Sequence, residues 1–271
     1  MGRQSRRPGR LAYAESGTGP DIVLLPSFPA DSRMHGDLLR HPVGHVVVVD
    51  PPGFGRSAPA LNAPQPYLVE EFAAAVGRLI KRLGLERPIL VGTGVGGYVA
   101  LELAARKPRS FSGLVVVGCG PNADPPEKAG FREETAASAL KSGTAALSGN
   151  APKSLHPKAG PRAQNALRRM IAESDPAGYA AAVRGMARRP APSGTASRIR
   201  IPTLVMRGRD DPFAPQAAAR RLAELLPRGR FLEIPGAHLA PLEYPTAFRR
   251  ELGRFVAMVQ AERGAAAGGA A

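Results

Sequence analysis

The sequence predicts an α/β fold, in which a mostly parallel sheet is flanked by helices and carries an inserted helical cap. Short runs of Val, Ile and Leu alternate with longer helical patterns, and this alternation is typical of parallel β-α-β crossovers. Residues 88–104 combine a buried strand, a glycine-packed turn and a helix. The chain of 271 residues is long enough for one such domain with an insertion.

The elements before the insertion follow from hydrophobic periodicity and turn residues. The run from His45 to Asp50 is rich in β-branched residues, which predicts a strand buried on both faces of the sheet. The pattern over 68–83 places Phe72 and Val76 on one side of a helix. In chain order we predict an edge strand over 11–16, a strand over 21–26, a short helix over 31–40 and a strand over 45–50. A helix over 68–83, a strand and its following helix within 88–107, and a strand over 114–117 come next.

The pattern changes after Gly120, because residues 121–197 are rich in Ala, Pro and charged residues and contain no strand pattern. Asp175 followed by Pro176 predicts the start of a helix, with Asp as the N-cap and Pro in the first helical position. We predict helices near 129–148, 161–174 and 176–188, then a strand over 202–206, a helix over 215–226, a strand over 230–234 and a closing helix over 244–260. The predicted domains are a core (1–120 and 198–262), a helical cap (121–197) and a low-complexity, disordered tail (263–271).

The formal net charge of +15 comes mostly from arginines that are scattered along the chain. We interpret it as a compositional bias of bacterial type, because no groove-reading motif accompanies it, and we expect no nucleic-acid partner. We also expect no signal peptide and no membrane span, since no apolar run of about 18 residues occurs. With Cys119 as the one cysteine, these features predict a cytoplasmic protein that binds a small-molecule substrate or ligand, and they leave a homodimer open.

The glycines at the centre of residues 88–104 fit two motifs. Gly92, Gly94 and Gly96 fit G-x-Nuc-x-G, the turn that presents a catalytic nucleophile between a strand and a helix, but the nucleophile position is then a glycine. Gly92, Gly94 and Gly97 fit G-x-G-x-x-G, the dinucleotide-binding turn. We favour the first motif, because the second requires an acidic residue near the end of the next strand and the chain has none there.

Two downstream loops supply an acid and a histidine, in the chain order nucleophile, acid, histidine. An acid just after a parallel strand faces the crevice where such folds bind ligands. Asp211 is preferred by its spacing from Gly208, and Asp210 is the alternative. His238 follows the last predicted strand, and Asp211 would orient its imidazole and stabilise the protonated ring.

Together these motifs resemble α/β-hydrolases of the 3-oxoadipate enol-lactonase-like group, over nearly all of residues 11–259. The markers are segments 25–34, 50–57 and 170–179, the glycine turn, and the Asp and His loops. The resemblance implies the α/β-hydrolase fold and an oxyanion hole formed by the backbone N–H groups of Phe28 and Val95. We expect no cofactor, and no metal, because the other histidines form no ligand spacing.

The chain departs from that family where the reaction would occur. The family usually has Ser at the position of Gly94, His-Gly in place of Pro26 and Ser27, and often an aromatic residue in place of His35. A covalent acyl-enzyme at residue 94 is therefore excluded, and loss of the serine alone costs subtilisin about 10⁶ in turnover. The backbone N–H donors do not depend on these side chains.

Three hypotheses for the activity follow. In the first, His238 held by Asp211 performs non-covalent acid–base chemistry on an ester, lactone or enol-type compound, as a hydrolase or as a lyase, isomerase or cyclase. In the second, the protein is catalytically silent and binds a ligand. In the third, the nucleophile has moved, either to Cys119, which would face His238 and gain thiolate character, or to Ser27 beside the oxyanion hole.

Overall fold

The computed structural model describes residues 10–60 and 62–268. Residues 1–9, to which the expectation of no signal peptide applies, residue 61 and residues 269–271 of the predicted tail lie outside the described residues. Within the described ranges, a seven-stranded sheet has the order β1-β3-β2-β4-β5-β6-β7, parallel except for the antiparallel edge strand β1. The strands are β1 (Tyr13–Ser16), β2 (Asp21–Leu25), β3 (His45–Val49), β4 (Ile89–Thr93), β5 (Gly113–Val117), β6 (Thr203–Gly208) and β7 (Gly229–Ile234).

Helices occupy nearly all the connections between these strands. They are α1 (Gly36–Arg40), α2 (Val69–Arg82), α3 (Val95–Arg106), α4 (Glu127–Ser142), α5 (Pro161–Ala172), α6 (Pro176–Ala187), α7 (Gln216–Leu225), α8 (Ala240–Glu243) and α9 (Pro245–Gly268). The predicted fold class, a mostly parallel sheet flanked by helices, is confirmed. The single-turn helix α8 was not predicted, because four residues are too few to give a helical period.

Alternate residues of the central strands pack against two different layers of helices. In β3, Val47 and Val49 belong to the core that includes α2, α3 and α7. Val46 and Val48 belong to the core that includes α1 and α9. Both faces of the strand are therefore buried, which explains why its sequence is an uninterrupted run of valines instead of an alternating pattern.

The segment between β5 and β6 contains helices α4, α5 and α6, and its described residues form no strand. Helix α4 packs on α6. As predicted, Asp175 caps α6: its carboxylate accepts a hydrogen bond of 2.9 Å from the backbone N–H of Gly178, and Pro176 occupies the first turn.

Residues 263–268 belong to a helix and not to the predicted disordered tail. Helix α9 continues to Gly268, well beyond residue 262, where we expected order to end. The reason is local: Ala265, Ala266 and Ala267 have the highest intrinsic helix propensity of any residue type, so a low-complexity stretch of alanines extends a helix that is already formed.

A buried histidine directly precedes α1 and packs on α9. His35 is 2% exposed, and its ring packs on Phe248 with 5.8 Å between centroids. Both ring nitrogens are buried and have no hydrogen-bond partner in the part of the chain that the structure describes. Burial lowers the pKa of His35 to about 3, so the ring is held neutral in the folded protein.

We expect a His35→Leu variant to lose less stability in acid than the native protein. The folded-state pKa lies below the unfolded value of about 6.5, so the unfolded chain binds the proton first and stability falls as the pH drops from about 6.5 towards 3. Urea unfolding at pH 7.5 and 5.0 measures this loss, which should be about 2 kcal/mol smaller in the variant. Replacement of the exposed His41 by Leu is the control, and equal pH dependence in both variants would contradict the prediction.

Candidate active site

The turn between β4 and α3 holds Gly94 at φ +52° and ψ −118°, a conformation that favours glycine. Its neighbours leave no room for side chains. A Cβ on Gly92 would lie 2.2 Å from the carbonyl oxygen of Gly96, and a Cβ on Gly96 would lie 2.1 Å from that of Leu25. Glycine at positions 92 and 96 is therefore a steric requirement, which supports the G-x-Nuc-x-G interpretation of this turn.

The acid that meets the histidine is Asp211, which follows β6. Its two carboxylate oxygens lie 3.0 and 3.2 Å from Nδ1 of His238. Burial alone would raise the pKa of this carboxyl, but hydrogen bonds from His238 and from two backbone N–H groups, with the charge of the imidazolium, hold the pKa below its usual value. Asp210 points elsewhere: its side chain is 52% exposed and lies 3.5 Å from Nε2 of His156.

The imidazole of His238 is fixed in one orientation on the loop between β7 and α8. A carboxylate only accepts hydrogen bonds, so Nδ1 carries the hydrogen that faces Asp211 and, in the neutral ring, Nε2 presents a lone pair. The ring of Phe213 packs edge-to-face on the imidazole, with 5.1 Å between centroids. A side chain on Gly94 would begin 2.9 Å from Nε2, so the lone pair faces the nucleophile position.

The hydroxyl of Ser27 lies at the same point. A Cβ built on Gly94 would lie 2.2 Å from Oγ of Ser27, which is closer than any real contact. Ser27 is 1% exposed, and its hydroxyl donates a hydrogen bond of 3.0 Å to the carbonyl oxygen of Phe28. The Ser27 side chain therefore occupies space that a serine at residue 94 would need.

Phe28 and Val95 directly follow Ser27 and Gly94 in the chain. The N–H groups of Phe28 and Val95 donate no hydrogen bond to any group among the described residues. Val95 is also the first residue of α3, where the helix dipole favours negative charge. Both residues line a narrow cavity of about 20 Å³, enough for about one water molecule, whose remaining lining is almost wholly apolar. Ser27, Gly94 and His238 do not line this cavity, and the oxyanion hole stays a prediction.

The expectation for Cys119 is wrong. The thiol is fully buried and donates to the carbonyl oxygens of Gly94 (3.4 Å) and Val117 (3.6 Å), within the core between the sheet and α3. Burial raises its pKa to about 12, so the group is a thiol at neutral pH and not a thiolate facing His238. Because Cys119 follows the end of a strand, we expected its side chain to face the crevice. The side chain instead packs into the core beneath α3.

Two residues near the pair were missed by the sequence analysis. Gly118 (φ +67°) lies directly against the pair: a Cβ there would be 2.9 Å from Nδ1 of His238 and 3.0 Å from Oδ2 of Asp211. Glu243 accepts the N–H of Ala237, next to the histidine, at 3.0 Å, and that of His156 in the segment between β5 and β6 at 2.6 Å. Glycine after a strand was the available signal for Gly118; nothing local indicates Glu243.

The described residues contain no group of three or more His, Cys, Asp or Glu side chains arranged to hold a metal ion. None of their helices is both long and apolar enough to cross a membrane.

Comparison with known proteins supports the same fold. The family model described as the alpha/beta hydrolase fold matches residues 20–245. The chain is 32% identical over 228 residues to RutD of Caulobacter sp. (strain K31), which carries the name of a carbamate hydrolase, covering 78% of this chain and 80% of RutD. It is similar to the structure of a thermophilic esterase from Thermogutta terrifontis, with a TM-score of 0.85, 28% identity and 92% and 93% of the two chains covered. It is also similar to the enol-lactonase from Burkholderia xenovorans LB400, with a TM-score of 0.80, 25% identity and 91% and 96% covered.

Proposed function

The chain belongs to the α/β-hydrolase fold family, and we propose that it hydrolyses a small ester, lactone or related acyl compound by non-covalent acid–base chemistry of His238 and Asp211. No serine nucleophile takes part at residue 94, because that residue is glycine. The reaction requires no cofactor, since a base, an oxyanion site and water are sufficient for hydrolysis of an activated acyl group.

One observation carries the proposal: a buried carboxylate holds one side of the His238 ring while the other side faces the nucleophile position. Asp211 fixes Nδ1 at 3.0 Å, and Nε2 lies 2.9 Å from the point where a side chain on Gly94 would begin. A protein that only binds a ligand has no physical need for an oriented base at that point. The oriented Asp211–His238 pair therefore favours catalysis over silent binding.

In the proposed reaction, His238 takes a proton from a water molecule that attacks the acyl carbon. Negative charge then develops on the carbonyl oxygen of the substrate. The backbone N–H groups of Phe28 and Val95 stabilise this charge and do not have to move to do so. The protonated His238 finally donates its proton to the departing alkoxide. Asp211 stabilises the imidazolium between these two steps.

We also propose that residues 121–197 form a cap over this site. Ala182 and Met186 of α6 line the same cavity as Phe28 and Val95, so the inserted segment supplies part of the wall beside the proposed oxyanion hole. Apolar residues from the insertion would exclude water from one side of the substrate, which strengthens the hydrogen bonds to an oxyanion.

The names of the similar proteins support a choice of substrates, because an ester, an enol-lactone and a carbamate all react at an acyl carbon. Turnover should be measured on p-nitrophenyl acetate, small lactones and aryl carbamates for the native protein and for His238→Gln. We expect the variant to lose about 10²- to 10⁴-fold in kcat on the substrate that is turned over, the usual range for loss of a general base.

The exposed His41→Gln variant is the control for this loss and should keep native turnover. Equal rates for the native protein and His238→Gln would contradict the proposal. Absence of turnover together with a ligand-induced rise in the melting temperature would favour the silent binding protein instead.

A further inference from the structure

We propose that Ser27 is a further catalytic residue, whose hydroxyl oxygen and the Nε2 atom of His238 together hold the attacking water over Gly94. The inference rests on the proposed hydrolytic function and specifies where its nucleophile is bound. It assigns a role to a side chain that replaces the usual glycine of the family's His-Gly pair.

The Ser27 hydroxyl and Nε2 of His238 both act as hydrogen-bond acceptors toward the site. The Ser27 hydroxyl uses its hydrogen to donate to the carbonyl oxygen of Phe28, so Oγ offers only lone pairs to the site. Nε2 of neutral His238 also offers a lone pair, because Nδ1–H faces Asp211. Two hydrogen-bond acceptors cannot bond to each other, but a water molecule has two O–H donors and can donate one to each of them. The water oxygen then keeps its own lone pairs free for attack.

The two acceptor atoms are also close enough for one water molecule to bridge them. Oγ of Ser27 and Nε2 of His238 lie 2.2 and 2.9 Å from one common point, the Cβ position of residue 94. Both residues are in the described part of the chain, yet their side chains form no hydrogen bond with each other. A single water can bridge atoms up to about 5.6 Å apart, and the distances to the common point keep this pair within that limit.

The same geometry favours water over Ser27 as the nucleophile. A serine nucleophile must donate its proton to the base, as in the Ser-His-Asp triad. The Ser27 proton is instead directed at Phe28, within the same short segment. Its side chain is also 1% exposed, so its oxygen has less freedom to reach an acyl carbon than a small water molecule has.

The bond changes balance with water as the only co-reactant. One O–H bond of the water breaks and its proton passes to Nε2 of His238, while the oxygen forms a bond to the acyl carbon. The bond from that carbon to the leaving oxygen then breaks, and the alkoxide takes the proton from Nε2. The products are a carboxylic acid and an alcohol, and Ser27 is unchanged because it only accepts a hydrogen bond from the water.

The test is Ser27→Ala, assayed with p-nitrophenyl acetate beside the native protein and His238→Gln. We expect kcat to fall about 10- to 100-fold, with KM changed less than about twofold, because one of two contacts to the water is lost and the substrate is not touched. Ser57→Ala is the matched control. Ser57 is another buried serine whose hydroxyl donates to a backbone carbonyl, that of Asp50, and it should keep native kcat.

A second measurement on the native protein keeps the test independent of the folding of the variant. Acid quench during steady-state turnover, followed by intact-protein mass spectrometry, should reveal no acetylated enzyme. An acetyl group mapped to Ser27 would overturn the inference in favour of a relocated nucleophile. Full kcat in Ser27→Ala with loss of kcat in His238→Gln would overturn the inference alone, whereas equal kcat in all three proteins would contradict the proposed function itself.

Discussion

The double variant Ser27→Gly/Gly94→Ser is expected to become a serine hydrolase that forms an acyl-enzyme at residue 94. The Asp211–His238 pair already lies beside the position where the new hydroxyl would be, and the proposed oxyanion hole uses the N–H groups of Phe28 and Val95. We expect kcat on p-nitrophenyl acetate to rise at least about 100-fold, well within the ~10⁶ that the nucleophile contributes in subtilisin.

Both substitutions are needed, because the two positions compete for the same space. In Gly94→Ser alone, the new Cβ would lie 2.2 Å from Oγ and 3.1 Å from Cβ of Ser27. Rotation of the Ser27 hydroxyl would remove the first contact only by breaking its hydrogen bond to Phe28, and the second would remain. The single variant should therefore reach less than about a tenth of the rate of the double variant, a coupling typical of residues in direct contact.

A fluorophosphonate probe and mass spectrometry report the outcome directly. The double variant should be labelled at residue 94 and both single variants weakly or not at all. Equal labelling of Gly94→Ser with and without Ser27→Gly would contradict the steric argument. A folded double variant that is neither labelled nor faster would show that the remaining site has lost the geometry of a triad.

The fold could be predicted from sequence because its signals are local. The valine run of β3, the Asp175–Pro176 start of α6 and the glycine spacing of the β4–α3 turn can each be recognised within a short stretch of sequence. The Asp211–His238 pair could also be predicted, because strands of a parallel sheet end at one edge and place the loops that follow them side by side.

What could not be predicted depends on side-chain direction and on contacts between distant segments. The same reasoning from strand ends placed Cys119 in the crevice, but its thiol turns into the core. Ser27 and Gly94 are separated by 67 positions in the sequence, so the letters alone do not reveal that one fills the space of the other. Only the folded chain shows that side chains at residues 27 and 94 require the same space.

Asp211→Asn is expected to lower kcat on the substrate of the native enzyme by about 10²- to 10⁴-fold with little change in folding. Oδ1 of the asparagine can still accept the backbone N–H groups of Phe213 and Ala214, which bond Oδ1 of Asp211 at 2.8 and 3.1 Å. Its amide can replace Oδ2, which lies 3.0 Å from Nδ1 of His238. The site therefore keeps its shape, and the change is one of hydrogen-bond polarity.

That polarity determines which nitrogen of His238 carries the proton. An amide donates to Nδ1, so the hydrogen of the neutral ring moves to Nε2, which can then no longer accept a proton from water. Asp210→Asn is the matched control, since it makes the same chemical change at the adjacent residue, whose exposed carboxylate faces His156 and not His238. Its kcat should stay within about twofold of native, because surface substitutions away from the site have small effects. Equal losses of kcat in the two variants would assign the effect to local charge. A loss confined to Asp211→Asn follows only if the position of the proton on the His238 ring controls the reaction.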